Sequence, residues 1–239
     1  MSIKDILQSK DHRPWDLPNK PWSFHQEWND VVFLHWSVNE VDLRQFVPLN
    51  LEIDVFDQKA WVSVVIFKME KIRARNLPYF SPISNFNEIN IRTYVKKENK
   101  SGVYFLNIEG GKRISCAIAK GVSELPYRFS KIKRNNINYI NSYNTAFEDR
   151  ISISYQLGEN IEHPDKVDNW LTERYALFQD GKNGLNYFDI HHLKWSLRKI
   201  KIEDLNFNYP RFRHLLKGDP DRVNYSEGVQ VVAWNKEIV

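Results

Sequence analysis

Glu88–Ile89–Asn90–Ile91–Arg92–Thr93–Tyr94–Val95 is the stretch on which the reading of the chain turns. Its residues alternate with the two-residue period of a β-strand. Glu88, Asn90, Arg92 and Tyr94 therefore share one face, and Ile89, Ile91, Thr93 and Val95 the other. Glu98–Asn99–Lys100–Ser101–Gly102 is rich in turn formers and residues 103–109 are strand-like again, which together signal a hairpin. The polar face has two readings. It is either the wet side of a half-exposed strand or part of a shared interior network. The second is favoured by a face without Lys, Ser or Thr that combines a carboxylate, an amide, a guanidinium and a phenol. Such a set suits a small anion, since the planar fork of Arg grips a carboxylate through parallel hydrogen bonds.

Working outward, residues 30–38, 51–56, 60–72, 127–143, 151–157 and 228–235 read as strands, and 185–202 as two strands or one long bent strand. Residues 80–86 read as a loop. Helices are expected at 39–47, after Gly110–Gly111, and near 212–217. The strongest helical signal is 165–178, where Val167, Leu171, Tyr175 and Phe178 form a stripe behind an Asp165 cap. Residues 1–22, with Pro14, Pro18 and Pro21, read as an extended arm that docks Trp15 and Trp22. The expected fold is an α+β domain over 1–239: a curved or closed antiparallel β-barrel with a few helices packed outside.

Composition narrows the function classes. The 239 residues are 42% apolar, with 8 Trp, 14 Phe and 11 Tyr, enough for a substantial core. The net charge is +4 and dispersed, so a nucleic-acid partner is not expected. The densest basic run, Arg128 to Arg134, reads as a guarded strand edge. Cys116 is the sole cysteine, which excludes an intrachain disulfide and suggests a small core residue. No stretch resembles a signal peptide or a bilayer span, so a soluble, cytoplasmic protein is expected.

Among candidate chemical groups, Glu173 sits in an apolar setting that would raise its pKa and make it an acid or base. The alternative is a buried ion pair, for example with Arg92. His191 and His192 point opposite ways in a strand, so one is expected inward and one outward, and neither suggests a metal site. There is no phosphate-binding glycine loop, dinucleotide fingerprint or nucleophile elbow. Gly110–Gly111 is a tight turn before it is an anion site.

Arg13–Pro14–Trp15, His35–Trp36, Trp61, the 88–95 strand, Gly102–Val103–Tyr104–Phe105, Leu125–Pro126–Tyr127, Leu171–Thr172–Glu173–Arg174–Tyr175 and Ile190–His191–His192 together resemble the YqjF-like family of uncharacterised bacterial proteins. Asp42–Leu43–Arg44, Val47–Pro48, Leu51–Glu52–Ile53–Asp54 and residues 103–126 are more distantly similar to the acetoacetate decarboxylase superfamily. That likeness implies a cone-shaped barrel around a small pocket. The superfamily's enzyme has two adjacent lysines after the proline, one of which forms a Schiff base. Here Tyr127–Arg128 stand in that place, and neither can form an imine. The expected activity is acid–base, lyase-like chemistry on an organic acid or carbonyl compound, with no cofactor and no metal. Glu88, Glu173, Tyr127 and His191 are the expected catalytic groups; Asn90, Arg92, Tyr94, Arg128 and Arg174 are the expected substrate contacts. The expected partner is a small anionic or carbonyl metabolite, with a homo-oligomer allowed and no nucleic acid or membrane. Competing readings are a non-catalytic binding module for a small anion and a purely structural protein.

Overall fold

The computed structural model describes residues 2–135 and 138–239; positions 136 and 137 of the expected 127–143 strand run, and Met1 of the arm, lie outside them. The first half contains α1 Ile3–Gln8, β1 Phe24–Val38, α2 Glu40–Arg44, β2 Glu52–Ile53, β3 Ala60–Ala74, α3 Ser81–Ser84, β4 Phe86–Lys97, β5 Lys100–Gly110 and α4 Arg113–Ser123. There follow β6 Tyr127–Phe129, β7 Lys131–Arg134, β8 Tyr139–Asn144, β9 Asp149–Asn160, α5 Lys166–Thr172, β10 Ala176–Gly181, β11 Gly184–His192, β12 Arg198–Asn208, β13 Arg222–Ala233 and β14 Glu237–Ile238.

The main sheet runs β14-β11-β10-β5-β4-β3-β1-β13-β12-β9-β8-β7. Because β11 also pairs β13, the strands from β11 through β4 to β13 close on themselves as a ring. β12, β9, β8 and β7 continue beyond it. The sheet is mixed, not wholly antiparallel as expected: β5 pairs in parallel with both β6 and β10. β6 follows β5 through the helix α4, a crossover that returns the chain in the same direction, whereas β10 comes back beside β5 only after β7–β9 and α5. At the far end of the sheet order, β7 exposes Lys131 and Lys133, as the edge reading expected.

β4 is apolar on one face and polar on the other, yet both are buried. Ile89, Ile91 and Val95 join Leu34, Val64, Ile151, Ile153 and Ile200 in the largest apolar cluster. Each such fully buried side chain contributes about 1.5–3 kcal/mol. Against the opposite face pack Phe33, Val65, Phe67 and Trp195.

Several elements depart from expectation. The arm is not fully extended: Ser2 and Asp5 form a capping box for α1, and Ile6 is fully buried. Residues 81–84 form a short helix in place of a loop, with Pro82 in its first turn. β2 is shorter than 51–56, and the expected 212–217 helix is a 3-10 turn at Pro210–Phe212. The 165–178 helix stops at Thr172. Residues 176–181 pair instead with β5 and β11, so tertiary pairing overrides the helical stripe. On α4 the exposed stripe is Ile114, Ile118 and Val122, while Cys116 packs inward with its thiol pushed up to about 11 by burial.

Candidate functional site

The polar face of β4 looks into a cavity of about 110 Å³. Pairing with β3 sets Glu88 beside Phe67, Asn90 beside Val65 and Arg92 beside Ser63. A register shift between Ile91 and Arg92, opposite Phe105 and Asn107, marks a bulge at this point, a device common next to binding sites. Glu88, Asn90 and Arg92 are 2%, 3% and 7% exposed, which decides against the half-exposed strand.

Glu88 is the titratable centre. Burial pushes its carboxyl up to about 7, although hydrogen bonds from Tyr127 and Asn90 pull the other way. Tyr127 Oη donates to Oε2 at 2.8 Å and Asn90 Nδ2 to Oε1 at 3.3 Å. Burial, and then the neighbouring carboxyl, hold the Tyr127 phenol well above its ordinary value, so it remains a donor.

Arg92 has no ion-pair partner among the described residues. Nη2 donates to the Leu171 carbonyl at 3.2 Å, and Nε has no hydrogen-bond partner. Tyr94 Oη donates to the same carbonyl at 3.0 Å and lies 2.6 Å from Ser63 Oγ, which in turn lies 2.6 Å from His35 Nδ1. With the Tyr94 proton given to Leu171, Ser63 donates to Tyr94 and His35 Nδ1–H to Ser63. Burial, then the charges of Arg92 and Arg222, keep His35 neutral.

The remaining sequence candidates divide. Arg174 lines the cavity but is held by Asp54 at 2.6 Å and lies over Trp170. Tyr94 supports Arg92 from behind and is absent from the lining. Burial raises the Glu173 carboxyl, as its apolar setting leads one to expect, but the residue makes no pair with Arg92 and is absent from the cavity lining: it is the C-cap of α5 and accepts from Trp195 N–H at 2.9 Å and from Tyr175. Arg128 lies away from the cavity, paired with Asp149 at 2.7 Å. His191 is directed to the Ile6 carbonyl at 2.9 Å, whereas His192 lines the cavity. Both histidines are buried, so the expected outward one does not exist; the N-terminal arm covers it. Burial lowers both to about 4.

The sequence reading misses Trp28, Phe33, Thr172 and Trp195 on the cavity wall, and leaves open which of His191 and His192 faces it. Trp28 shares a wall with Val31 and Phe33 although their numbers differ in parity. Asp30, at φ 52°, and a register shift between Asn29 and Val32 break the strand alternation there. No pattern in β1 announces that break. Among the described residues, no three His, Cys, Asp or Glu side chains form a metal-ligand group, and no lysine lines the cavity.

Residues 25–230 match the family model DUF2071, described as "Uncharacterized conserved protein (COG2071)". The chain belongs to the DUF2071 family. A relative in Bacillus subtilis (strain 168), "Uncharacterized protein YqjF", is 33% identical over 91% of this chain and 93% of its own length. Among solved structures, this DUF2071 chain is similar to the acetoacetate decarboxylase of Legionella pneumophila, with a TM-score of 0.64 and 11% identity over 100% of this chain and 96% of that one. The enduracididine biosynthesis enzyme MppR complexed with pyruvate aligns with a TM-score of 0.61 and 12% identity, over 94% and 92%. The fold of this DUF2071 member is thus acetoacetate decarboxylase-like, mostly β-sheet with few helices. Among the described residues, no helix is long and apolar enough to cross a membrane.

Proposed function

We propose that the protein is a small-molecule enzyme that moves a proton on an organic acid or carbonyl compound bound in this cavity, without a Schiff base. One observation carries the reading: an acid poised near neutrality shares a buried wall with an arginine that has no ion-pair partner among the described residues. The resemblance to a fold whose solved members are described as decarboxylases and as an enzyme complexed with pyruvate supports the substrate class.

In this reading Arg92 grips the carboxylate or the oxygen where charge develops. Ionised Glu88 takes a proton from the carbon beside the carbonyl, and its protonated form returns one. Tyr127 and Asn90 orient the carboxyl. With tyrosine and arginine in place of paired lysines, and no lysine on the wall, the substrate carbonyl stays a carbonyl. The cavity lies inside the sheet ring, which closes as a barrel around it.

Deuterium exchange into the α-position of small 2-oxo acids and ketones, followed by NMR in D2O, tests this. The rate should rise with pH through about 7, as Glu88 ionises, and fall at least about 100-fold in Glu88→Gln. Wild-type exchange in that variant would remove Glu88 from the chemistry. Arg92→Ala should weaken binding of the acids while leaving bulk exchange of neutral ketones less affected.

A non-catalytic binding module is the second reading. Its support is that both Glu88 oxygens already hold hydrogen bonds, the posture of a fixed carboxyl. It predicts thermal stabilisation by the same acids with no exchange.

A further inference from the structure

The cavity wall carries more information about its ligand than charge alone. Polar atoms without a partner on this wall are Arg92 Nε, Arg174 Nη2, Trp28 Nε1, Trp195 Nε1 and Asn90 Oδ1. Donors outnumber acceptors, and a buried unpaired N–H costs about 1–3 kcal/mol unless something accepts from it. The missing partner is therefore rich in acceptor oxygens.

Its charge is bounded as well. Arg174 shares Asp54, at 2.6 Å, with Lys96 at 2.8 Å, so Arg92 is the one cation of this wall that, among the described residues, has no carboxylate against it. A second negative charge on the ligand would meet Glu88 or apolar wall, or would have to compete with Asp54 for Arg174.

Its body is bounded by the rest of the lining. Trp28 and Trp195 stack at 6.2 Å with an interplanar angle of 18°. Phe33 meets Trp195 edge-on at 5.1 Å and Phe67 meets Trp28 at 5.8 Å. Leu177 completes an apolar wall. A water occupies roughly 10–15 Å³ of such a cavity, so about 110 Å³ holds on the order of seven to eleven water-sized groups.

We infer that the site takes a monocarboxylate with a second oxygen acceptor and a branched, apolar body, Arg92 holding the carboxylate and the Trp28–Trp195 stack selecting the body. The chemical class is that of a branched-chain 2-oxo acid. This inference rests on the proposed function above, narrowing the ligand of the same site.

The test compares pyruvate, 4-methyl-2-oxopentanoate and 2-oxoglutarate by titration of the full chain, with tryptophan fluorescence and melting temperature as readouts. The branched acid, with nine heavy atoms, should bind at least tenfold tighter than pyruvate, whose six leave roughly 15–45% of the space unfilled. The dianion 2-oxoglutarate should produce no shift. Trp195→Ala should bring pyruvate and the branched acid to within about threefold of each other. Leu177→Ala, a milder change, should move the preference towards phenylpyruvate, and either variant suffices if the other does not fold. Pyruvate or 2-oxoglutarate binding as tightly as the branched acid would overturn this inference and leave the proposed function standing. Failure of every acid to bind wild-type protein would overturn this inference, and together with no exchange into ketones it would overturn the proposed function too.

Discussion

Glu88 shows how one residue couples stability to chemistry. Its carboxyl rises from an ordinary value of 4.5 to about 7 because burial disfavours its charge. The folded state therefore holds this proton more tightly than the unfolded state does. Stability from this group is present below pH 4.5 and is lost as pH rises through about 7, amounting to about 3 kcal/mol at pH 8. Glu88→Gln should raise the melting temperature by about 5–10 °C at pH 8, with a much smaller gain at pH 5. Calorimetry at the two pH values checks this, and an equal gain at both would contradict it. Tyr127→Phe removes a donor that favours the ionised form, so the midpoint of the exchange profile should move above 7.

At the scale of elements, β1 is bent so that Trp28 and Phe33 reach the same wall. Gly228 of β13 lies against that bend at φ 132°, and a Cβ there would fall 2.2 Å from the Trp28 carbonyl oxygen. Gly228→Ala should destabilise the protein by about 2–4 kcal/mol in urea unfolding, since strain and overlap act together. A neutral result would mean that the bend is not held from this side. α5 and the strand after it are joined to the sheet by Arg174 and Asp54, both nearly solvent-free. Asp54→Asn leaves the Arg174 charge buried with its partner weakened and should cost about 3 kcal/mol. Arg174→Met combined with Asp54→Asn should recover much of that, which a double-mutant cycle measures.

Across the whole molecule, the N-terminal arm packs on the last residues of β11. His12 stacks on His191 at 5.4 Å, Trp15 Nε1 donates to Asp189 at 3.0 Å, and Arg13 pairs with the same carboxylate. Arg13→Ala should cost about 3 kcal/mol by leaving part of that buried cluster unpaired. The two buried histidines behave oppositely to Glu88. Their folded values lie near 4, below the ordinary 6.5, so their contribution is present above 6.5 and is lost as pH falls towards 4. His191→Gln keeps a donor for the Ile6 carbonyl and removes one titration, so its melting temperature should fall less steeply between pH 6.5 and 4. Much of this was legible in advance. The 88–95 alternation announced the polar face, and ordered local matches announced the fold. Sequence reasoning assigns Arg128 and Glu173 to the pocket because the partners that hold them elsewhere, Asp149 and Trp195, are brought beside them only by the fold.

By itself the sequence determined which residues of β4 face the same way, because strand periodicity is a local property of the backbone. It also ruled out an imine at position 127, because side-chain chemistry does not depend on folding. Only the tertiary structure decided that both faces of β4 are buried, that His192 and not His191 meets the cavity, and that Trp28 turns inward. Burial and strand bends arise from what the rest of the chain packs alongside, and no local pattern encodes them.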